Sequence, residues 1–172
     1  MATLTDAIEA TKAELLAAAP RIVLTQAQTQ LAVVTRRVQN DGLAGTRYSS
    51  TAVPTFFFAK RAFNAGGRAY VKKSKKGTYE GFRTALGLYT AAVNLTFTGR
   101  MFRSLTTVYG GFSGTVYVAQ IVASDRESAA KVGYNMARYG DFLAPTTSEI
   151  ADIEAVGARE LDLIIQRNFP QS

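Results

Sequence analysis

Residues 105–123 read Leu-Thr-Thr-Val-Tyr-Gly-Gly-Phe-Ser-Gly-Thr-Val-Tyr-Val-Ala-Gln-Ile-Val-Ala, and this stretch decides the fold class. β-Branched and aromatic residues recur with period two over 105–109 and 115–123, and Gly110, Gly111, Phe112, Ser113 and Gly114 separate the two runs. That spacing predicts a β-hairpin with a five-residue loop. The second strand is apolar on both faces, with Tyr117, Ala119 and Ile121 on one and Val116, Val118 and Val122 on the other. Such a strand is expected to be covered on two sides.

Helical signals lie on either side of the hairpin. Downstream, Ser124 with Glu127 forms a capping-box pattern ahead of Ala129, Val132 and Met136, and Gly140 is placed to end that helix. Thr146 with Glu149 opens another, carrying Ile150, Ile153, Gly157, Leu161 and Ile164, and Pro170 marks its end. Upstream, Leu4, Ile8, Thr11 and Leu15 predict a helix over 4–18, which Pro20 breaks or kinks. Leu24, Ala27, Leu31, Val34 and Val38 then form the core stripe of a second helix, 21–40, stopped at Asn40, Asp41 and Gly42. The expected fold is α+β in a single domain, 1–172. Two N-terminal helices and a C-terminal helix pack on a small, mostly antiparallel sheet.

Residues 43–77 fit neither periodicity. Gly45, Ser49, Ser50 and Pro54 mark a loop, and Gly66-Gly67 reads as a turn between two extended pieces, 55–63 and 68–73. Lys72, Lys73, Lys75 and Lys76, with Ser74 and Gly77, read as a solvated, mobile tip. The stretch 53–77 is thus expected to be a basic hairpin or flap. After it, 79–88 reads as a short helix with Tyr79, Phe82 and Leu86 on one side.

Composition narrows the chemistry. The 172 residues include no histidine and no cysteine. That removes imidazole bases, Ser-His-Asp triads, thiol nucleophiles and zinc-thiolate or iron–sulfur sites. The lysine run follows Gly66-Gly67 at the wrong spacing for a P-loop, and Gly110, Gly111 and Gly114 do not make a dinucleotide fingerprint. The acidic residues of 141–162 show no clustering that argues for a carboxylate pair or an oxygen-ligand metal site. No catalytic residue, metal or cofactor is therefore expected, and the chain reads as non-enzymatic.

No signal peptide and no run long enough to span a membrane is legible, so the reading is of a soluble intracellular product. In that setting the sequon Asn94-Leu95-Thr96 carries no meaning.

The net charge of +7 is unevenly spread: +1 over 1–55, +9 over 56–105 and −3 over 106–172. A basic middle and an acidic end suit binding of nucleic acid or of further copies of the same chain. Lys60, Arg61, Arg68 and the four lysines of 72–76 alternate with Phe56, Phe58, Phe63 and Tyr70. Cations interleaved with rings are what a single-strand groove over 56–83 would need. Rings in the core or at a subunit contact, with solvated lysines, are the plainer and preferred alternative.

Thr98-Gly99-Arg100-Met101-Phe102-Arg103-Ser104-Leu105 resembles the Thr-Gly, hydrophobic, two residues, Ser-Leu/Ile signature of tail-completion, or tail-terminator, proteins of tailed bacteriophages. In that virion-morphogenesis family the signature leads into a strand pair with an alanine-containing strand end, here Val118-Ala119-Gln120. An Ala-Arg-x-Phe-Leu element follows, here Ala137-Arg138 and Phe142-Leu143 around an inserted Tyr139-Gly140-Asp141, and then an amphipathic terminal helix.

The resemblance implies a structural protein of a phage neck or tail end, assembled in the host cytoplasm. It would form a ring, a hexamer or dodecamer, that completes the tail or joins it to the head connector around the DNA channel. Its partners would be itself, tail-tube and head-connector proteins and, non-specifically, packaged DNA, with no membrane. Phe56, Phe57, Phe58, Arg100, Met101 and Arg138 are the expected subunit contacts. Lys72, Lys73, Lys75 and Lys76 are expected to face DNA or solvent. A head-side adaptor or stopper ring, and a small basic nucleic-acid-binding protein, are the alternatives.

Overall fold

The computed structural model of the chain describes residues 3–96, 99–114 and 116–169. Thr98 of the Thr-Gly signature, Thr115 at the expected start of the second strand and Pro170 as a helix stop lie outside the described residues.

The fold is α+β, and its spine is α1, Leu4–Asn40. At 1.5 Å per residue these 37 residues make a helix about 55 Å long. Thr3 and Asp6 cap its start reciprocally. The two N-terminal helices expected from Pro20 are one helix with Pro20 inside it. Proline there cannot donate to the Leu16 carbonyl, a cost of about 3 kcal/mol in a helix interior.

A second helix offsets that cost by gripping α1 on both sides of the proline. This helix, α6, Thr147–Asn168, runs antiparallel to α1. Glu14, before Pro20, accepts from Arg167 at 2.6 Å and from Asn168 at 2.8 Å. Arg21, just after it, pairs with Glu160 at 2.7 Å. Farther on, Arg37 meets Glu149 at 2.9 Å.

The hairpin lies along α1. Its strands are β3, Leu105–Ser113, and β4, Val116–Ala123, preceded in the chain by the short pair β1, Val53–Pro54, and β2, Lys76–Gly77. Pairing runs from Leu105↔Ala123 to Ser113↔Val116, so the strands continue through most of the expected loop. Gly110 is the extra residue of a bulge between Tyr109 and Gly111, and Gly111 takes φ +106°. The bulge brings Phe112 opposite Tyr117, with ring centroids 4.9 Å apart.

The two-sided cover expected for β4 is not found, since none of its described residues is fully buried. Only the base of the hairpin enters the main core, where Leu105 packs with Val34, Val38, Met101, Phe102, Phe142 and Leu143. The tip extends beyond that core.

The helix after the hairpin, α5, Arg126–Tyr139, is capped by Asp125 instead of the expected Ser124. The Asp125 carboxylate accepts from the Ser128 amide at 2.9 Å and from its hydroxyl at 2.8 Å. Glu127 is thereby free to pair outward with Lys131 and Arg100. At α6 the Thr146/Glu149 capping box is present as read.

A smaller lobe sits at the C-terminal end of α1. Strands β1 and β2 pair antiparallel and close the segment 53–77 at its base. Inside it the two expected extended pieces are helical: a 3-10 helix, Thr55–Arg61, and α2, Ala65–Lys73. Gly66-Gly67 is not a turn but the first turn of α2, which Asn64 caps by accepting from the Gly67 amide at 2.8 Å. The glycines let α2 touch the end of α3, Tyr79–Ala85. A Cβ on Gly66 would overlap the Ala85 carbonyl, and one on Gly67 would overlap the Leu86 side chain. Phe58, Phe82 and Leu86 form the lobe's own core, Phe58 stacked on Phe82 at 4.7 Å.

The lysine run is not a loose tip either. Thr55 donates its amide to the Lys75 carbonyl at 3.1 Å and its hydroxyl to that of Ser74 at 2.5 Å.

Candidate interaction surfaces

The far end of α1 is apolar and open. Leu4, Ile8 and Leu16 on α1, Leu161 and Ile165 on α6, and Phe112 and Val116 at the hairpin tip are all exposed, Leu4 by 70%. Two grooves run together there. One, of about 410 Å3, is lined by Ile8, Thr11, Leu15, Leu16 and Phe169. The other, of about 270 Å3, is lined by Leu15, Leu16, Ile22, Tyr117 and Leu161. Contiguous apolar surface of this kind marks an interaction site more often than a scattered leucine does. The sequence shows why it forms: the helical stripe continues through Leu4 and Ile8, past the point where the hairpin and α6 can cover it.

A second aromatic patch lies on the lobe. Phe56 and Phe57 are 65% and 60% exposed, with their rings 4.3 Å apart, and Phe63 is exposed as well. Phe58, expected beside them as a subunit contact, is only 5% exposed and belongs to the lobe core. The 3-10 turn causes the split, because one residue in each turn faces inward.

Met101, expected as a subunit contact, is likewise buried in the main core, with Asn135 donating to its sulfur at 3.5 Å. Arg100 is exposed and pairs with Glu127 at 3.3 Å. Arg138 is exposed, donates to the Tyr134 hydroxyl oxygen at 3.2 Å and lies over the Tyr139 ring.

Lys72, Lys73, Lys75 and Lys76 are all exposed. Three of them, with Thr55, Phe56 and Val71, line a groove of about 520 Å3. Of the rings expected to interleave with cations, Phe58 and Tyr70 turn into the lobe core instead.

The least expected feature joins the lobe to the body. Asn94, read as an empty sequon, is buried and central. Its Oδ1 accepts from the Tyr48 hydroxyl at 2.9 Å, Arg83 at 3.1 Å and the Thr96 amide at 3.1 Å. Its Nδ2 donates to the Gln39 carbonyl of α1 at 3.2 Å. Arg83 is 1% exposed, with Tyr48 stacked on its guanidinium at 4.2 Å. Nothing in the sequence signals this, because arginine is ordinarily a surface residue.

Among the described residues no cluster of acidic side chains is placed to hold a metal ion, and no helix is long and apolar enough to cross a membrane. No family model, no curated protein and no solved structure matches this chain.

Proposed function

We propose that this chain is a structural subunit of a phage neck or tail end, joining copies of itself into a ring around the DNA channel. The observation that carries the reading is the pair of unlike apolar surfaces at opposite ends of α1. The groove around Leu16 is one, and the Phe56-Phe57 pair on the lobe is the other. The lobe is tied to α1 at Gln39 and Asp41, so roughly 35 Å of helix separates it from Leu16. A closed ring of identical subunits needs two different, complementary surfaces on each copy, and head-to-tail contacts are built that way. The resemblance of 98–105 to the tail-completion signature supplies the virion setting.

In this reading the clasp is Phe56 and Phe57, without Phe58. Lys72, Lys73, Lys75 and Lys76 face packaged DNA or solvent. Converting all four to Gln is expected to leave assembly intact, and loss of rings in that variant would contradict the division of roles.

The direct test is native mass against protein concentration, at low and high salt, after nuclease treatment. Six- or twelve-fold assemblies that persist in salt are expected. A monomer that associates only with added nucleic acid would transfer the role to the lysine groove, whose affinity should fall steeply with salt.

A further inference from the structure

We propose that the cavity between the lobe and α5 is a phosphate-binding site organised around the buried charge of Arg83. The cavity measures about 540 Å3, and Arg61, Arg83 and Arg138 line it together with Tyr48, Tyr79, Tyr134 and Tyr139. No aspartate or glutamate lines it.

Arg83 makes its interior bonds entirely with neutral groups. Nε and Nη2 donate to the Tyr89 carbonyl at 3.2 and 3.1 Å, Nη1 donates to the Thr96 carbonyl at 2.9 Å, and Nη2 donates also to Asn94. Among the described residues no carboxylate pairs with it. Buried charges are ordinarily paired, because desolvation is costly and a counter-charge recovers part of it. Carbonyl dipoles and the Tyr48 ring satisfy the donors here, but the net positive charge remains and acts on the cavity beside it.

The three arginines divide the work. Arg83, its donors largely occupied, supplies the field. Arg61, from the end of the 3-10 helix, and Arg138, from α5, are exposed and supply guanidinium donors, and neither makes an ion pair among the described residues. Three cations and no anion in one partly enclosed space focus potential onto a single ligand. A phosphate group fits better than a carboxylate. It offers three oxygens and up to about two negative charges, and guanidinium forks match that geometry. The volume lies within the range of small-molecule sites, and the tyrosine rings leave room for a base beside the phosphate.

The proposal does not depend on ring formation, because binding is measured on dilute chain. Isothermal titration with inorganic phosphate, thymidine monophosphate and a short oligothymidylate separates the sources. Binding of phosphate and the mononucleotide alone marks a small-molecule site, and binding of the oligomer in addition marks a strand phosphate; both uphold the site. The Arg61→Gln/Arg138→Gln variant changes only exposed side chains and should lose roughly tenfold or more in affinity. Lys72→Gln/Lys73→Gln, which alters the other basic groove, should bind inorganic phosphate and thymidine monophosphate as the parent does. No binding of any probe by the folded chain would overturn the proposal. So would unchanged affinity in the arginine variant, or an equal loss in the lysine variant.

Discussion

The two ends of α1 differ in how the helix's own apolar stripe is covered. At the C-terminal end Val34 and Val38 are wholly buried in the main core, and Tyr79 packs against both that core and the lobe's own aromatic core around Phe58 and Phe82. Every described buried side-chain nitrogen and oxygen has a partner, even the Arg83 guanidinium. At the N-terminal end the same helix continues with the same apolar spacing, yet Leu4, Ile8 and Leu16 face solvent. Both stretches look alike as sequence. The difference is what the rest of the chain supplies: a lobe, a hairpin base and the α6 capping box at one end, but only a hairpin tip and the last turns of α6 at the other. This contrast, an apolar stripe covered at one end and left open at the other, underlies the proposed role.

The contrast can be broken most severely inside the lobe. Phe82→Ala removes a fully buried ring and should cost about 4 kcal/mol. If the lobe is an independent unit, amide exchange should accelerate over 53–88 while the α1/α6 pair stays protected. Uniform acceleration would mean that one core spans both ends. Next in size is Asn94→Leu, which orphans the Gln39 carbonyl, the Thr96 amide and a donor of Arg83. A loss of roughly 2–3 kcal/mol in denaturant unfolding is expected, and a neutral result would show that the joint is held by packing alone.

At the other end the expected effect on the monomer is small. Ile8→Ser with Leu16→Ser should change its stability by less than about 1 kcal/mol, because both side chains are already exposed. The same variant should lose self-association.

Smallest is the pH effect at Glu149. Burial raises its pKa, but the Thr146 amide, the Arg37 guanidinium and the Thr146 hydroxyl together hold it below the ordinary 4.5. A lowered folded pKa means that its stabilisation is complete above that value and is lost as pH falls through the lowered one. Acid unfolding of Glu149→Gln should therefore show a shallower pH dependence below about pH 4.5 than the parent. Parallel curves would remove this ion pair from the forces that hold α6 along α1.

The hairpin, the C-terminal helices and the helical nature of 4–40 were legible because each rests on local periodicity or a cap. Pro20 misled because the proline rule is local, whereas the grip of Glu14 and Arg21 on α6 spans well over a hundred residues of sequence. Gly66-Gly67 misled for a similar reason. A glycine pair signals a turn and a close helix contact equally, and only the position of Ala85 and Leu86 decides between them. Of the site, the exposure of the lysines could be read from their charge, whereas that of Phe56 and Phe57 was expected only through the resemblance, since such rings are ordinarily buried. The inward turn of Phe58 could not be read, and neither could the Arg83–Asn94 network, since its members are linked by tertiary contact alone.

The central claim is that the two apolar surfaces meet each other between copies, and mixing two defective chains tests it most directly. One variant, Ile8→Ser/Leu16→Ser, keeps only the lobe surface; the other, Phe56→Ser/Phe57→Ser, keeps only the groove. Each alone should be monomeric by native mass spectrometry, and an equimolar mixture should give a species of two chains, one of each, and nothing larger. A variant that still forms dimers or rings by itself, or a mixture that stays monomeric, would contradict a head-to-tail contact between these surfaces.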